Sequence, residues 1–205
     1  MAVINIGKSV PLGSTITDVG VNFCIVATKA ILVEILIFEE KNSTKPIYIY
    51  KLDKKFKSGP YWHAEIEGLG EGTIYAYRIH QEVNGINRDY SKKVLIDPCS
   101  RGITGWENYK RDKSTDERDN LYCCLKSVVC DREKFNFKEF PRPGYSWEES
   151  IIYELHIGAF TEKIESIDKS KNESCFQKFI QKIPYLKHLG ITSIELLPVF
   201  CFDPK

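Results

Sequence analysis

The chain has 205 residues, 42% hydrophobic and 28% charged, an ordinary globular composition that excludes global disorder and is ample for a real core. Lys and Arg total 29 against 28 Asp and Glu, for a formal net charge of +1. A balance this even supplies no strong field for nucleic acid or an anionic membrane, so neither is an expected partner.

In chain order, Met1 to Lys8 lacks the basic stretch and long apolar core of a secretory signal, and no later stretch is long and apolar enough to span a membrane. The first third then reads as strands separated by turns. Pro11-Leu12-Gly13-Ser14 is turn chemistry, and Asp18-Val19-Gly20 leads into a strand from Val21 to Ala27. Ile31 to Phe38 is almost continuously apolar, broken by Glu34, as in a strand covered on both faces. Ile47 to Tyr50 alternates aliphatic with aromatic. In Tyr61 to Glu67, Trp62, Ala64 and Ile66 share one face and polar residues the other, the alternation of an antiparallel sheet with one wet face. A glycine-rich turn at 68–72 precedes a long strand from Thr73 to Val83, which runs into Asn84-Gly85, a strong hairpin signal. Val94-Leu95-Ile96 ends at Asp97-Pro98. Six or so short strands with such turns predict a β-sandwich of roughly 100 residues.

Beyond Ser100 the pattern weakens. Trp106 to Asn120 is charged and aperiodic and reads as a surface loop, and Leu121 to Val129 as one more strand. Phe135-Asn136-Phe137 and Pro141-Arg142-Pro143-Gly144 read as a linker. Ile151 to Ile157 is then a buried strand, and the polar stretch Glu162 to Glu173 loops out. Phe176, Phe179, Ile180, Ile183, Leu186 and Leu189 follow at helical spacing. Pro184 divides that run into two short helices, Gly190 ends the second, and Ile191 to Phe202 is a second buried strand. The two strands should be parallel neighbours in a β-α-β unit. The domains expected are a sandwich over 1–125, a linker over 126–148 and the β-α-β unit over 149–205. The seven cysteines include no Cys-x-x-Cys pair, and the adjacent Cys123-Cys124 is poor zinc-ligand spacing. Free thiols in a reducing cytoplasm, with no metal and no cofactor, are the expectation.

At Ile152-Tyr153-Glu154-Leu155-His156, followed by Phe160-Thr161, the sequence resembles the first barrel strand of family 13 glycoside hydrolases of the isoamylase and glycogen-debranching branch. Tyr185 to Thr192 and Glu195-Leu196-Leu197-Pro198-Val199 resemble that family's first barrel helix and second strand. Gly20-Val21-Asn22-Phe23, Trp62-His63, Tyr75-Ala76-Tyr77-Arg78 and Lys93 to Pro98 are similar to the sandwich that precedes the barrel, a carbohydrate-binding module of family 48. Cys99, Phe135-Asn136-Phe137 and the segment from Ser170 to Phe176 depart from the usual pattern. The resemblance implies a multi-domain β plus α/β chain: an immunoglobulin-like β-sandwich, then the truncated β-α-β start of a TIM-type (β/α)₈ barrel. It also implies α-1,6 debranching of glycogen or a related α-glucan by a retaining carboxylate pair roughly 5 Å apart. It places these carboxylates on barrel strands four and five, and a third on strand seven. The 205 residues reach strand two, so the chain is expected to hold no catalytic residue and to be inactive alone.

The alternatives are a non-catalytic α-glucan-binding or regulatory module, an α-1,6 branching ancestry, and an inert remnant of a truncated gene. The expected partners are an α-glucan and a separate chain completing the barrel. Trp62, Tyr75 and Tyr77 are the candidate sugar-stacking residues, set against core packing, which Trp62's place beside Ala64 and Ile66 favours. His63 reads as a surface histidine. Glu154 and His156, two apart on one strand face, invite an acid–base reading, but a hydrogen-bonded structural pair is favoured, as is a structural role for Glu195.

Overall fold

The structure is a computed structural model that describes residues 2–82, 91–115, 117–134, 136, 139–140, 142–162 and 173–200. The Asn84-Gly85 hairpin and most of the polar excursion after Glu162 lie outside the described residues. The chain divides into two units, Met1–Phe135 and Asn136–Lys205.

Among its described residues the first unit contains eleven strands: β1 (Ile4–Asn5), β2 (Gly13–Ile16), β3 (Gly20–Val26), β4 (Ala30–Phe38), β5 (Tyr48–Leu52), β6 (Lys57–Ser58), β7 (Tyr61–Glu67), β8 (Ile74–Gln81), β9 (Val94–Leu95), β10 (Gly102–Thr104) and β11 (Lys126–Val128). They form a five-stranded sheet in the order β1-β7-β3-β2, with β6 on β7, and a six-stranded sheet in the order β10-β11-β8-β4-β5, with β9 on β8. Every pairing is antiparallel. Alternation decides what meets between the sheets. Val21, Phe23, Ile25, Trp62, Ala64 and Ile66 come from one sheet, and Val33, Ile35, Ile37, Tyr50, Tyr75 and Tyr77 from the other.

The near-continuous apolar run of β4 also has its reason. Leu36 and Phe38 point away from that core into a second cluster with Ala76, Val94 and Cys124. β11 belongs to the six-stranded sheet, pairing with β8 at Ser127–Tyr75, so the sandwich includes residues that the sequence pattern assigns to the linker. The charged stretch after Trp106 holds one short helix, α1 (Asp112–Thr115). It ends at buried Asn120, whose side chain accepts from Val94 N at 2.8 Å and donates to Val94 O at 3.0 Å. That pair of bonds completes the edge that β9 leaves unpaired.

His63 is buried, not on the surface. It lies on the outer face of the five-stranded sheet, opposite Cys24 in register. The segment at residues 8–9 crosses that face: Asn22 Oδ1 accepts from Lys8 N at 2.7 Å, and Cys24 Sγ donates to Ser9 O at 3.1 Å.

The second unit contains β12 (Ile152–Leu155), α2 (Ile157–Glu162), α3 (Cys175–Ile180), α4 (Ile183–His188) and β13 (Ser193–Leu196). β12 and β13 pair in parallel from Ile152–Ser193 to Leu155–Leu196, as the β-α-β pattern requires. Ser174 caps α3 in a reciprocal box with Gln177, accepting from Gln177 N at 3.3 Å while Gln177 Oε1 accepts from Ser174 N at 2.8 Å. Pro184 sits in the first turn of α4, where its missing N–H costs nothing. Gly190, at φ +87°, reverses the chain after α4. Leu155, Ile157, Phe179 and Leu186 form the unit's core. Both strands read as buried in the sequence, yet only Leu155 of β12 is buried and all of β13 is exposed. Two strands packed by helices on one face leave the other face open.

Candidate functional site

The three candidate stacking residues are brought together, but inside the sandwich. Trp62 is 1% exposed and Tyr75 and Tyr77 are fully buried. Trp62 Nε1 donates to Ala27 O at 3.0 Å, and the Lys57 ammonium stands 5.0 Å from the ring centroid. Tyr75 meets Phe23 edge-on at 4.8 Å and Tyr77 at 5.8 Å. No ring face of the three is open to a sugar, because alternation turns all of them toward the opposite sheet. They pack the core.

Tyr75 anchors a buried polar network. Its hydroxyl donates to Asp97 Oδ2 at 2.8 Å, Cys99 N donates to Asp97 Oδ1 at 2.7 Å, and Asp97 N donates to Ser127 Oγ at 2.8 Å. Burial raises the Asp97 carboxyl above its ordinary value, and the bonds from Cys99 and Tyr75 partly offset the rise. Burial likewise raises the tyrosine hydroxyls of Tyr75 and Tyr77. Asp-Pro thus closes the sandwich by tying the end of the β9 segment to β8 and β11. Burial pushes the thiols of Cys24 and Cys124 up to about 11, which leaves them unreactive near neutral pH. Aromatic faces remain open elsewhere on the sandwich, at Tyr48 and Tyr122, and the half-buried Trp106 and Tyr109 stack edge-on at 5.6 Å. Trp106 and Tyr109 sit in an aperiodic segment, where spacing carries no signal, and Tyr48 lies on the edge strand β5.

In the second unit, a cleft of about 190 Å³ opens at the C-terminal ends of the parallel strands, lined by His156, Ile157, Phe176, Leu197, Val199 and Phe200 among others. Strand C-terminal ends are where parallel α/β structures bind ligands, because the loops that follow the strands converge there. His156 does not pair with Glu154. β12 ends at Leu155, so the two-residue period stops one residue short of the histidine. His156 instead caps α2, its Nδ1 accepting from Ala159 N at 3.1 Å. Gly158 makes room for the ring: a Cβ there would lie 3.1 Å from His156 Cε1. Glu154 stands opposite Glu195 in the parallel register, on the strand face turned away from the unit's core. Among the described residues neither carboxylate has a hydrogen-bond partner. Nor do any three His, Cys, Asp or Glu side chains among them gather as a metal site would require.

Residues 11–100 match carbohydrate-binding module 48, the isoamylase N-terminal domain. Over its whole length the chain is 32% identical to a glycogen debranching enzyme of Cronobacter sakazakii, covering 32% of that protein. Over 96% of its length it is 29% identical to a glycogen operon protein homologue of Haemophilus influenzae, covering 30% of it. The chain therefore spans about a third of the length of the curated relatives it matches. The fold is shared with the crystal structure of a Group B Streptococcus pullulanase in complex with maltotetraose, at a TM-score of 0.70 and 22% identity over 96% of this chain and 24% of that one. A sandwich built on alternating core strands, closed by the Asp97 network and followed by a parallel strand–helix–strand unit, thus matches carbohydrate-binding module 48 over residues 11–100, in a chain that resembles glycogen debranching enzymes throughout.

Proposed function

We propose that these 205 residues supply the glucan-handling sandwich and the opening strand–helix–strand unit of a glycogen-debranching glycoside hydrolase acting on α-1,6 branches. The observation that carries this reading is order. A module 48 segment precedes a parallel unit with a ligand-sized cleft at its strand ends, in a chain 32% identical along its whole length to a debranching enzyme. The parallel pair is the first β-α-β of a TIM-type barrel, 149–205, joined to the sandwich by the segment before it. The half-open apolar stripe of α3 and α4, with Ile180 60% and Leu189 53% exposed, supports this, since barrel helices are covered by neighbours on both sides. The remaining barrel strands, in a continuous or a separate chain, are the partner this reading calls for. The named relatives favour hydrolysis over the branching enzymes' α-1,6 transfer. Work on a cytoplasmic polysaccharide agrees with the free cysteines.

The family's nucleophile and acid/base belong to barrel strands beyond these residues, so this 205-residue chain alone hydrolyses nothing. The purified chain is incubated with glycogen and linear oligosaccharide release is measured against a mock preparation. Release above the mock overturns the proposal of inactivity. A second reading, a non-catalytic α-glucan-binding module, is favoured by the module 48 match alone. Glycogen co-sedimentation tests it, and binding lost on Tyr48→Ala or Tyr122→Ala but kept in a folded Tyr75→Phe variant would locate the surface.

A further inference from the structure

His156 is set up to act as a hydrogen-bond donor. Its Nδ1 accepts the Ala159 N–H at 3.1 Å, so Nδ1 carries no proton in the neutral ring and the proton resides on Nε2. Gly158 leaves room for the imidazole in this pose, because a Cβ there would lie 3.1 Å from Cε1 and 3.4 Å from Nδ1. Nε2 has no partner among the described residues, and the ring forms part of the cleft wall. Apart from Gly158 and the exposed thiol of Cys175, the rest of that wall among the described residues is apolar or aromatic: Ile157, Leu197, Pro198 and Val199, with Phe176 half-exposed and Phe200 83% exposed. Among the described residues no charged side chain lines it, so they offer nothing to neutralise an ionic ligand. One fixed donor among apolar walls and open aromatic faces suits a neutral ligand with hydroxyls on its rim and C–H bonds on its faces. At about 190 Å³ the cleft is below the roughly 300–1,000 Å³ of pockets for drug-sized ligands, so it takes one ring rather than a chain.

We propose that His156 positions substrate: its Nε2–H donates to a hydroxyl of one glucosyl unit seated in this cleft against Phe176. The proposal rests on the debranching reading above but goes beyond it, assigning a residue other than the family's carboxylates. His156 does not act as acid or base here, since Nδ1 is committed to the helix and Nε2 serves as a donor.

The test is long-range ¹H–¹⁵N NMR of the histidine imidazoles in the whole 205-residue chain at pH 8, titrated with maltotriose. The expected result is an Nε2–H tautomer for His156 and a ring-nitrogen signal that moves on titration. Affinity should fall at least about tenfold in His156→Ala. Gly158→Ala, which keeps the imidazole but displaces it, should weaken binding similarly while sandwich amide signals stay unchanged. An Nδ1–H tautomer, or wild-type affinity in both variants, overturns the proposal. If sandwich amides shift with maltotriose while His156 does not, the proposal fails and the glucan-handling reading stands. If nothing in the chain shifts, both fail.

Discussion

Truncating Trp62 separates core packing from sugar stacking. The indole is 1% exposed, opposite Ile25 in the strand register and within the core between the two sheets, so Trp62→Ala opens a cavity that the sandwich cannot fill by small shifts. Removing a buried Trp costs about 3–5 kcal/mol. The change also leaves Ala27 O without its 3.0 Å donor and removes the ring beneath the Lys57 ammonium. Against a domain stability of about 5–15 kcal/mol, that is about a fifth of the total or more. For a denaturant slope of about 2 kcal/mol/M, a loss of about 4 kcal/mol moves the urea midpoint down by about 2 M with little change in slope. Urea unfolding followed by far-ultraviolet circular dichroism reads the shift. Glycogen co-sedimentation at low temperature, normalised to the folded fraction, should give the same binding as wild type. The core-packing argument is refuted if the midpoint moves by less than about 0.3 M, or about 0.6 kcal/mol at that slope, while glycogen binding is lost.

Asp97→Ala leaves the Cys99 N–H without its acceptor and the buried Tyr75 hydroxyl without its carboxylate partner, at a cost of about 1–3 kcal/mol for each group left unsatisfied, read from thermal unfolding. The folded-state Asp97 carboxyl sits above its ordinary 3.8, so its contribution is full below that value and is lost as pH rises through the raised folded value. Wild-type stability relative to Asp97→Asn should therefore decline from about pH 4 upward and then level off; a difference that grows with pH would contradict the burial argument. Ser174→Ala removes the capping box of α3 and should cost about 1 kcal/mol locally, seen as lost amide protection at Gln177 and Lys178 with the sandwich unchanged. In the 205-residue monomer, hydrogen exchange should be faster in exposed β13 than in buried β3, and equal protection would argue against an open strand face.

Much of the sandwich is legible from short-range pattern. The alternation in Tyr61 to Glu67 identifies Trp62, Ala64 and Ile66 as core, since successive strand side chains must face opposite ways. The same argument fails for His63. The wet face it predicts is crossed at Asn22 and Cys24 by residues 8–9, and His63 Nε2 lies 2.9 Å from Ser58 Oγ of the adjoining β6; no local period encodes either contact. Pro184 and Gly190 mark the ends of α4 because each acts through its own backbone.

The candidate site divides along the same line. A short apolar run, a helical stripe and a second run suffice for parallel strands, because the β-α-β crossover leaves little choice. They do not reveal α2, which at six residues is too short to show a period and begins on a histidine cap. Nor do they reveal that β12 stops at Leu155, which separates His156 from Glu154 and turns its ring toward Ala159 and Gly158. Sequence alone determined which side chains are apolar, where the chain must turn and which family it resembles, since these are local properties of residue type and spacing. Only the tertiary structure decided which aromatics are sealed inside the sandwich and that His156 lines a cleft with residues 197–200, since both depend on what distant segments place beside them.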